Sequence, residues 1–182
     1  MHSQPAVKAV VAFESMFGNT ERVARAVAAG LRLEGVDTTV LDVSHAAAVD
    51  LADVDLLVVG APTHAFSLSR PESRQDAVRQ GGRPEAAAFG MREWLETLAV
   101  ESRLLLVATF DTRVTKVHYL PASASRRASR TLSGQGHHLV SSPIGFLVHD
   151  VPGPLESREL DRAIAWSRGV ATESRSHLTS AR

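Results

Sequence analysis

Residues 7–25 read V-K-A-V-V-A-F-E-S-M-F-G-N-T-E-R-V-A-R, and this stretch decides the fold of the chain. It begins as an apolar run in which Lys8 is the charged residue, a pattern typical of a strand covered on both faces. From Thr20 the period changes, because apolar residues recur at helical spacing between Val23 and Leu31. The sequence therefore predicts a strand, a short polar turn and a helix with one buried stripe.

The turn of this unit, Ser15-Met16-Phe17-Gly18-Asn19-Thr20, is suited to binding an anion. The first N–H groups of a helix have no intrahelical acceptor, and the helix dipole places about half a positive charge there. Gly18 lets a ligand approach the backbone closely, and Ser15, Asn19 and Thr20 offer side-chain donors. The six residues alone leave two interpretations open: Asn19 or Thr20 simply caps the helix, or the turn binds a phosphate.

Composition narrows the class of protein. The chain has 182 residues, 44% apolar content and a formal net charge of zero, which argues against nucleic acid as the main partner. It has no cysteine, so any redox chemistry must come from a bound cofactor. Since no run approaches the roughly 20 apolar residues that span a bilayer and residues 1–5 do not form a secretory signal, we expect a cytoplasmic protein without a membrane partner.

Strands and helices alternate along the rest of the chain. Further strands are predicted at residues 36–43, 56–60, 104–108 and 138–148, the last of them peripheral and broken by Ser141-Ser142-Pro143. Helices are predicted at residues 44–52, 85–99, 121–134 and 155–170, whereas residues 67–84 have the composition of a poorly ordered loop. We expect one domain over residues 6–172, with a disordered tail at 1–5 and a C-terminal tail at 173–182.

This alternation indicates the α/β class, with a doubly wound, five-stranded parallel sheet and helices on both faces. Ligands of such sheets bind outside the carboxyl ends of the strands, where the strand order reverses. The order 2-1-3-4-5 would bring three informative loops together at that edge. They follow the first, third and fourth strands, at residues 14–19, 61–66 and 109–120.

On these features the chain resembles the flavodoxin family over residues 7–170. The most specific match is S-M-F-G-N-T, which is similar to the family's phosphate loop [Ser/Thr]-x-[Ser/Thr]-Gly-x-Thr, with Phe17 where a hydroxyl is usual. The resemblance implies FMN as cofactor. It also implies that Ser15, Gly18, Asn19 and Thr20 hold the FMN phosphate, that Met16 belongs to the same loop, and that Phe17 contributes its backbone N–H.

The resemblance assigns the other two loops to the isoalloxazine ring of the flavin. The second flavin loop would comprise Pro62, Thr63, His64, Ala65 and Phe66, with His64 or Phe66 covering one face of the ring. The third loop would contribute Thr109, Phe110, Asp111 and Tyr119, the last two as the acidic and aromatic residues that flank the flavin. Trp94 and Trp166 fall on predicted helices, where we expect them in the core rather than on the cofactor.

Three functions are compatible with this resemblance. The first is an FMN-binding electron-transfer protein with a redox partner protein. The second is an NAD(P)H-dependent flavin or quinone reductase on the same fold, and the third is a flavodoxin-like binding module that has lost FMN. The residues do not decide whether the protein is an enzyme, and no catalytic residue is predicted. No metal site is predicted either, because the histidines lack the spacing of metal ligands.

A basic group accompanies the third loop. It consists of Arg113, Lys116, Arg126, Arg127 and Arg130. These side chains could receive an acidic redox partner or the phosphates of a nicotinamide nucleotide, or they could simply form a solvated helix face.

Overall fold

The computed structural model describes residues 6–45, 49–98 and 104–180, and its centre is a parallel sheet. The strands are β1 (Lys8–Phe13), β2 (Asp37–Asp42), β3 (Leu56–Pro62), β4 (Leu106–Val114), β5 (His138–Leu139) and β6 (Ile144–Val148). Their order is β2-β1-β3-β4-β5, with β6 also paired to β4, and all pairs are parallel. The predicted fold class and strand order are therefore confirmed.

Helices cover both faces of the sheet. They are α1 (Asn19–Leu33), α2 (Pro71–Arg79), α3 (Met91–Leu98), α4 (Ala124–Gly134) and α5 (Glu159–Ser180). Alternate residues of β1 enter two separate cores: Val11 packs with the stripes of α1 and α5, whereas Val10 packs with those of α3 and α4. No helix in the described part of the chain has both the length and the hydrophobicity needed to cross a bilayer.

The predicted fifth strand is divided into two short strands at the sheet edge. β5 pairs with the beginning of β4, and β6 pairs with its end. The break falls at residues 140–143, which contain Ser141, Ser142 and Pro143, as the sequence predicts. The sheet thus has six strands in five positions. Beside the end of β4, its outermost strand is β6.

The prediction for the fourth strand is wrong in extent. β4 begins at Leu106 and continues to Val114, so Thr109, Phe110 and Asp111 are strand residues and not loop residues. Pairing on both sides causes this, because Phe110 lies opposite Gly60 on one neighbour and Ile144 on the other. A Cβ on Gly60 would come within 2.0 Å of the Phe110 ring, so glycine is required for these strands to pack as they do.

The stretch interpreted as poorly ordered contains helix α2, which the sequence analysis missed. Arg74 of this helix is completely buried. A search for apolar residues at helical spacing does not detect a helix whose buried face contains an arginine. Together with the loop of residues 15–20, α2 forms a small apolar cluster of Met16, Phe17 and Ala77 with neighbouring side chains. The segment is therefore a wall of the region at the end of β1.

Other boundaries differ from the predictions as well. The predicted helix at 85–99 is a short turn, Pro84–Ala87, followed by α3, and its last residue lies outside the described residues. In the predicted helix 44–52 the structure has a short turn at Val43–His45, and residues 46–48 lie outside the description. Helix α5 continues to Ser180, so residues 173–180 are helical rather than a tail. The expected tail 1–5 is also outside the described residues.

Candidate functional site

A cavity of about 310 Å³ opens at the carboxyl edge of the sheet, where β1, β3, β4 and β6 end. This volume lies within the usual range for small-molecule sites. It is lined by Ser15, Met16, Phe17, Asn19, Thr20, Pro62, Thr63, His64, Ala65, Ser73, Asp76, Ala77, Gln80, Thr112, Arg113, Val114, Val148 and Val151. The predicted first and second loops meet here, and the ends of β4 and β6 complete the walls.

The turn at residues 15–20 forms the start of helix α1. Gly18 occupies the cap position with φ 87°, a left-handed conformation that glycine adopts without strain. The Ser15 Oγ accepts hydrogen bonds from the Gly18 N–H at 3.1 Å and from the Glu21 N–H at 3.3 Å. The helix is therefore capped by Ser15, and not by Asn19 or Thr20 as the alternative interpretation supposed.

Capping by Ser15 leaves other amides of this turn without a partner, among them three at the start of helix α1. Within residues 6–45, 49–98 and 104–180, no backbone or side-chain acceptor bonds the N–H groups of Phe17, Asn19 and Thr20. Buried or half-buried amides are nearly always paired in proteins, so such a group of donors at a helix start is a place for an anion. The turn thus combines a side-chain cap with free donors that are suited to an anion.

The side chains of Asn19 and Thr20 hold neighbouring loops in place. Asn19 donates from Nδ2 to the Pro152 carbonyl at 3.2 Å, and the Thr20 and Thr112 hydroxyls share a hydrogen bond of 2.8 Å. A Cβ on Gly153 would lie 2.8 Å from the Asn19 amide, so the loop after β6 closes directly onto α1. These contacts tie the ends of β4 and β6 to the turn.

An arginine that the sequence analysis did not associate with the site lies against this turn. Arg83 donates its backbone N–H to the Met16 carbonyl, and its guanidinium would be 3.2 Å from a Cβ placed on Gly18. It also pairs with Glu21 at 2.7 Å, and hydrogen bonds from Arg25 and Arg83 lower the pKa of that carboxyl. The negative charge of Glu21, which lies beside the free amides, is therefore balanced by the two arginines. The sequence offered no signal for this contact, because Arg83 lies in the segment interpreted as poorly ordered.

The second loop ends in a tight turn of unusual conformation. His64 and Ser67 exchange two backbone hydrogen bonds of 2.9 and 3.0 Å, while Ala65 and Phe66 between them have φ values of 45° and 65°. Two positive φ values define a type I′ turn, which normally requires glycine or asparagine. The turn holds His64 and Ala65 at the cavity. Phe66 is 48% exposed and does not line the cavity.

His64 is the titratable side chain of this loop. Its Nδ1 lies 3.2 Å from the Ser73 hydroxyl of helix α2, and its ring borders the cavity. Burial, and secondarily the positive charge of Arg74, lower the pKa of His64 from its ordinary value. The imidazole is therefore neutral at pH 7.

The structure does not bring the predicted third-loop residues to the cavity. Phe110 packs in the core against Phe146 and Trp166 with ring centroids 5.9 and 6.2 Å apart, respectively. The Thr109 hydroxyl donates to the Ser125 carbonyl, and Asp111 accepts from the Ser125 N–H at 3.1 Å.

Three residues nearer the end of β4 line the cavity instead of the predicted ones. Thr112, Arg113 and Val114 line the cavity, and the Arg113 guanidinium is paired with Asp111 at 2.7 Å. Tyr119 is 73% exposed and stands edge-on to His118, outside the cavity. The length of β4 explains the difference, since residues 112–114 reach the end of the strand whereas residues 109–111 lie deeper in the sheet.

A buried polar cluster supports the turn from behind. Arg74 donates to the Ala87 carbonyl, to Ser69 at 3.0 Å and to Glu93 at 3.0 Å. Glu14, the residue before the turn, accepts the Met91 N–H at 2.7 Å, and burial raises the pKa of its carboxyl. This cluster joins the end of β1 to α2 and to the start of α3.

No three histidine or carboxylate side chains in residues 6–45, 49–98 and 104–180 are placed to ligate a metal. Trp94 is 3% exposed in one core, and Trp166 packs against the other, as predicted. Phe17 and His64 are thus the rings that border the cavity.

Sequence and fold comparisons agree with this arrangement. The flavodoxin family model matches residues 11–79, which include the turn, β3 and the second loop. The fold is similar to that of oxidised flavodoxin 2 from Bacillus cereus, with a TM-score of 0.68 and 18% identity, covering 92% of this chain and 99% of that one. A flavodoxin from Streptococcus pneumoniae TIGR4 gives a TM-score of 0.63 and 22% identity, with coverages of 92% and 99%.

A longer protein contains the same fold. The flavodiiron protein from Giardia intestinalis matches with a TM-score of 0.62 and 16% identity, covering 95% of this chain and 37% of that one. The chain is thus similar to flavodoxins in sequence over residues 11–79 and in fold over nearly its whole length.

Proposed function

We propose that the protein binds FMN in the cavity at the carboxyl edge of the sheet and transfers electrons through it. The observation that carries this proposal is the set of unpartnered N–H groups of Phe17, Asn19 and Thr20 beside a cavity of about 310 Å³. A phosphate dianion supplies the acceptors that these donors lack, and the dipole of helix α1 favours its charge. The turn of residues 15–20 is called the phosphate loop below.

The phosphate end of the cavity needs no direct cation. The Ser15 oxygen accepts the two capping hydrogen bonds and its O–H is left as a donor, so we assign the phosphate to the three amides and to the Ser15 and Thr20 hydroxyls. Hydrogen bonds from backbone N–H groups to a charged oxygen are strong, and several of them converge here. Arg83, with Glu21 as its counter-charge, holds the loop in the conformation that presents these donors.

The ring end of the cavity is suited to an apolar, planar group. Pro62, Val114, Val148 and Val151 form apolar walls and exclude water, while Thr112 and His64 provide polar edges. A bound flavin would supply the redox chemistry, and the protein would set its potential through burial and hydrogen bonds. With Nδ1 of His64 on Ser73, Nε2 is the ring atom left to exchange a hydrogen bond or proton with a ligand.

Two observations keep other functions in view. A cleft rich in arginine adjoins the second loop and favours the NAD(P)H-dependent flavin or quinone reductase as the second candidate. Phe66 and Tyr119, which the family resemblance assigned to the flavin ring, lie outside the cavity, and this favours the binding module that has lost FMN. Redox partner proteins remain part of the first proposal.

The test is a titration of the purified protein with FMN and with riboflavin, which lacks the phosphate, followed by flavin absorbance and fluorescence. We expect saturable binding of FMN, tighter than that of riboflavin by about 100-fold, because charge-assisted hydrogen bonds contribute roughly 1.5–3 kcal/mol each. Thr20→Ala should weaken FMN binding by about tenfold and leave riboflavin binding nearly unchanged.

The matched control is Thr39→Ala, which removes an exposed threonine hydroxyl from β2, away from the cavity. It should bind both flavins as the unmodified protein does. No saturable FMN binding would reject the first proposal in favour of the binding module. Equal losses of FMN and riboflavin in Thr20→Ala would show that the loop does not recognise phosphate.

A further inference from the structure

A second cleft lies beside the cavity, on the other side of the turn formed by His64 to Ser67. Its volume is about 290 Å³. Of the residues that the structure describes, five arginines and no carboxylate line it, and we call it the arginine cleft. It is lined by Phe66, Ser67, Arg70, Arg92, Ala122, Ser123, Arg126, Arg127 and Arg130.

None of these five arginines has an ionic partner among the described residues, a property that they share with Arg22, Arg32 and Arg158. Within the described residues, no carboxylate lies within 4.0 Å of any of the five guanidinium groups. By contrast, the arginines outside the cleft that pair with a carboxylate are Arg25, Arg74, Arg79, Arg83, Arg113, Arg162, Arg168 and Arg175. Within the described residues, the cleft therefore gathers most of the arginines that lack an ion pair into one concave place.

The arrangement is electrostatically unfavourable without a ligand. Arg126 and Arg130 are four residues apart on α4, a spacing at which like charges destabilise a helix. Arg92 is anchored by its donations to the carbonyls of Leu68 at 2.7 Å and Ser69 at 3.0 Å. Partial burial lowers the pKa of Arg92, and the charges of Arg70 and Arg127 lower it further, against a smaller opposing effect of Glu93 and Glu96.

The start of helix α4 borders the cleft, but its backbone is already satisfied. The Ala124 N–H donates to Thr63, the Ser125 N–H to Asp111 and the Arg126 N–H to Ser123. An anion in the cleft would therefore be bound by side chains. This distinguishes the cleft from the phosphate loop, where backbone amides are the free donors.

We propose that the arginine cleft is a second anion site, separate from the phosphate loop, and that it binds the phosphate groups of a nucleotide. Guanidinium groups bind phosphate oxygens in pairs of parallel hydrogen bonds, and several arginines can divide a pyrophosphate or a phosphomonoester between them. The proposal does not depend on FMN binding. Since the turn that separates the cleft from the cavity is a single tight turn, a nucleotide held in the cleft borders the proposed flavin site.

The shape of the cleft favours a small anion over an acidic protein surface. A specific protein interface usually buries more than about 1,000 Å² and spreads its charges over that area. Here the uncompensated arginines converge on one cleft of about 290 Å³. A phosphate-bearing group fits such a space.

The experiment is a calorimetric titration of the full chain with sodium pyrophosphate, ADP, NADPH and NADH at low ionic strength. Each titration is run with and without saturating FMN. The test variant is Arg126→Gln/Arg130→Gln, in which both replaced side chains are exposed on α4 and glutamine maintains the helix. The matched control is Arg168→Gln/Arg175→Gln, which removes the same charge from helix α5.

We expect saturable binding of pyrophosphate and of at least one nucleotide at one site per chain, unaffected by FMN. The test variant should weaken it at least about tenfold, and the control less than about twofold, because each charge-assisted contact counts for roughly tenfold or more. Tighter binding of NADPH than NADH would assign the site to the 2′-phosphate, and equal binding would assign it to the pyrophosphate.

Four results would overturn the proposal. Displacement of pyrophosphate by FMN would locate it in the phosphate loop, and equal losses in both double variants would show a general charge effect. Pyrophosphate binding without binding of any nucleotide would contradict the assignment to nucleotides. Absence of saturable anion binding would leave the arginines as a surface that attracts acidic proteins.

Discussion

The two ends of the cavity are built differently. The phosphate end is one continuous turn, in which Ser15 caps α1 and the amides of Phe17, Asn19 and Thr20 remain free. The ring end is assembled from the second loop, the end of β4, and valines at the end of β6 and in the loop after it. A turn followed by a helix carries its geometry in consecutive residues, whereas the ring end depends on where distant strands stop.

This difference explains which of the site predictions the structure places at the cavity. The phosphate-loop side chains at positions 15, 16, 17, 19 and 20 all line it. At the ring end, pairing of β4 with both β3 and β6 prolongs the strand through Val114 and takes Phe110 into the core. Sequence patterns do not show this pairing, so they predict residues 109–114 as part of a loop.

The largest expected effect concerns the support of the phosphate end. Arg74→Met should lower the free energy of unfolding by about 3 kcal/mol, because removing a buried guanidinium leaves Glu93, Ser69 and the Ala87 carbonyl without their donor. Urea denaturation measures this loss. Arg79→Met, on the same helix but exposed and paired with the exposed Asp76, should cost less than about 0.5 kcal/mol.

Similar costs for the two variants would mean that the buried cluster is not needed for stability. The stability of the turn at residues 15–20 would then not depend on contacts with residues distant in sequence. A loss confined to Arg74→Met would show that it also depends on the long-range packing of α2 against residues 15–20.

The conformation of Gly18 carries the next largest effect. Gly18→Ala places a side chain at φ 87°, which costs roughly 1–2 kcal/mol, and brings its Cβ to 3.2 Å from the Arg83 guanidinium. If FMN requires this conformation, its affinity should fall by about five- to thirtyfold, with little change for riboflavin.

The matched control is Gly169→Ala in helix α5, where a Cβ would meet open space. Alanine is the better helix former, so the control should be neutral or stabilising by about 0.5–1 kcal/mol and should leave flavin affinity unchanged. Flavin titration and urea denaturation measure both quantities. An equal loss of riboflavin affinity in Gly18→Ala would extend the influence of the turn to the ring end.

The two ends should also differ in their response to pH, because backbone amides do not titrate and His64 does. The pKa of His64 is lowered in the folded protein, so below the ordinary value of 6.5 the unfolded chain binds more protons than the folded one. Stability contributed by neutral His64 is present above pH 6.5 and is lost as the pH falls towards the folded pKa.

Denaturation of the unmodified protein and of His64→Gln between pH 7.5 and pH 5 measures this effect. The unmodified protein should lose stability relative to the variant on acidification, by at most about 1.4 kcal/mol per pH unit for one proton. A difference that does not change with pH would show that His64 is as accessible to protons as in the unfolded chain.

The sequence predicts the frame of the molecule better than the walls of its site. Apolar runs and their change of period identify β1, β3 and α1, since buried elements impose those patterns, whereas the strand order is an assumption based on the doubly wound class. Helix α2 escapes detection because its important residue is a buried arginine. The type I′ turn is equally hidden, because Ala65 and Phe66 adopt positive φ values that their identities disfavour.

The smallest expected effect is at Tyr119, and it tests the ring end most directly. The family resemblance assigns this residue to the flavin, whereas the structure leaves it 73% exposed beside His118. Tyr119→Ala should therefore change FMN affinity by less than about twofold, while Val114→Ala, which opens an apolar wall of the cavity, should weaken it more. A tenfold loss in Tyr119→Ala would mean that residues 115–120 close over the ring when flavin binds. The ring end would then be completed by its ligand, in contrast to a phosphate loop whose donors already converge.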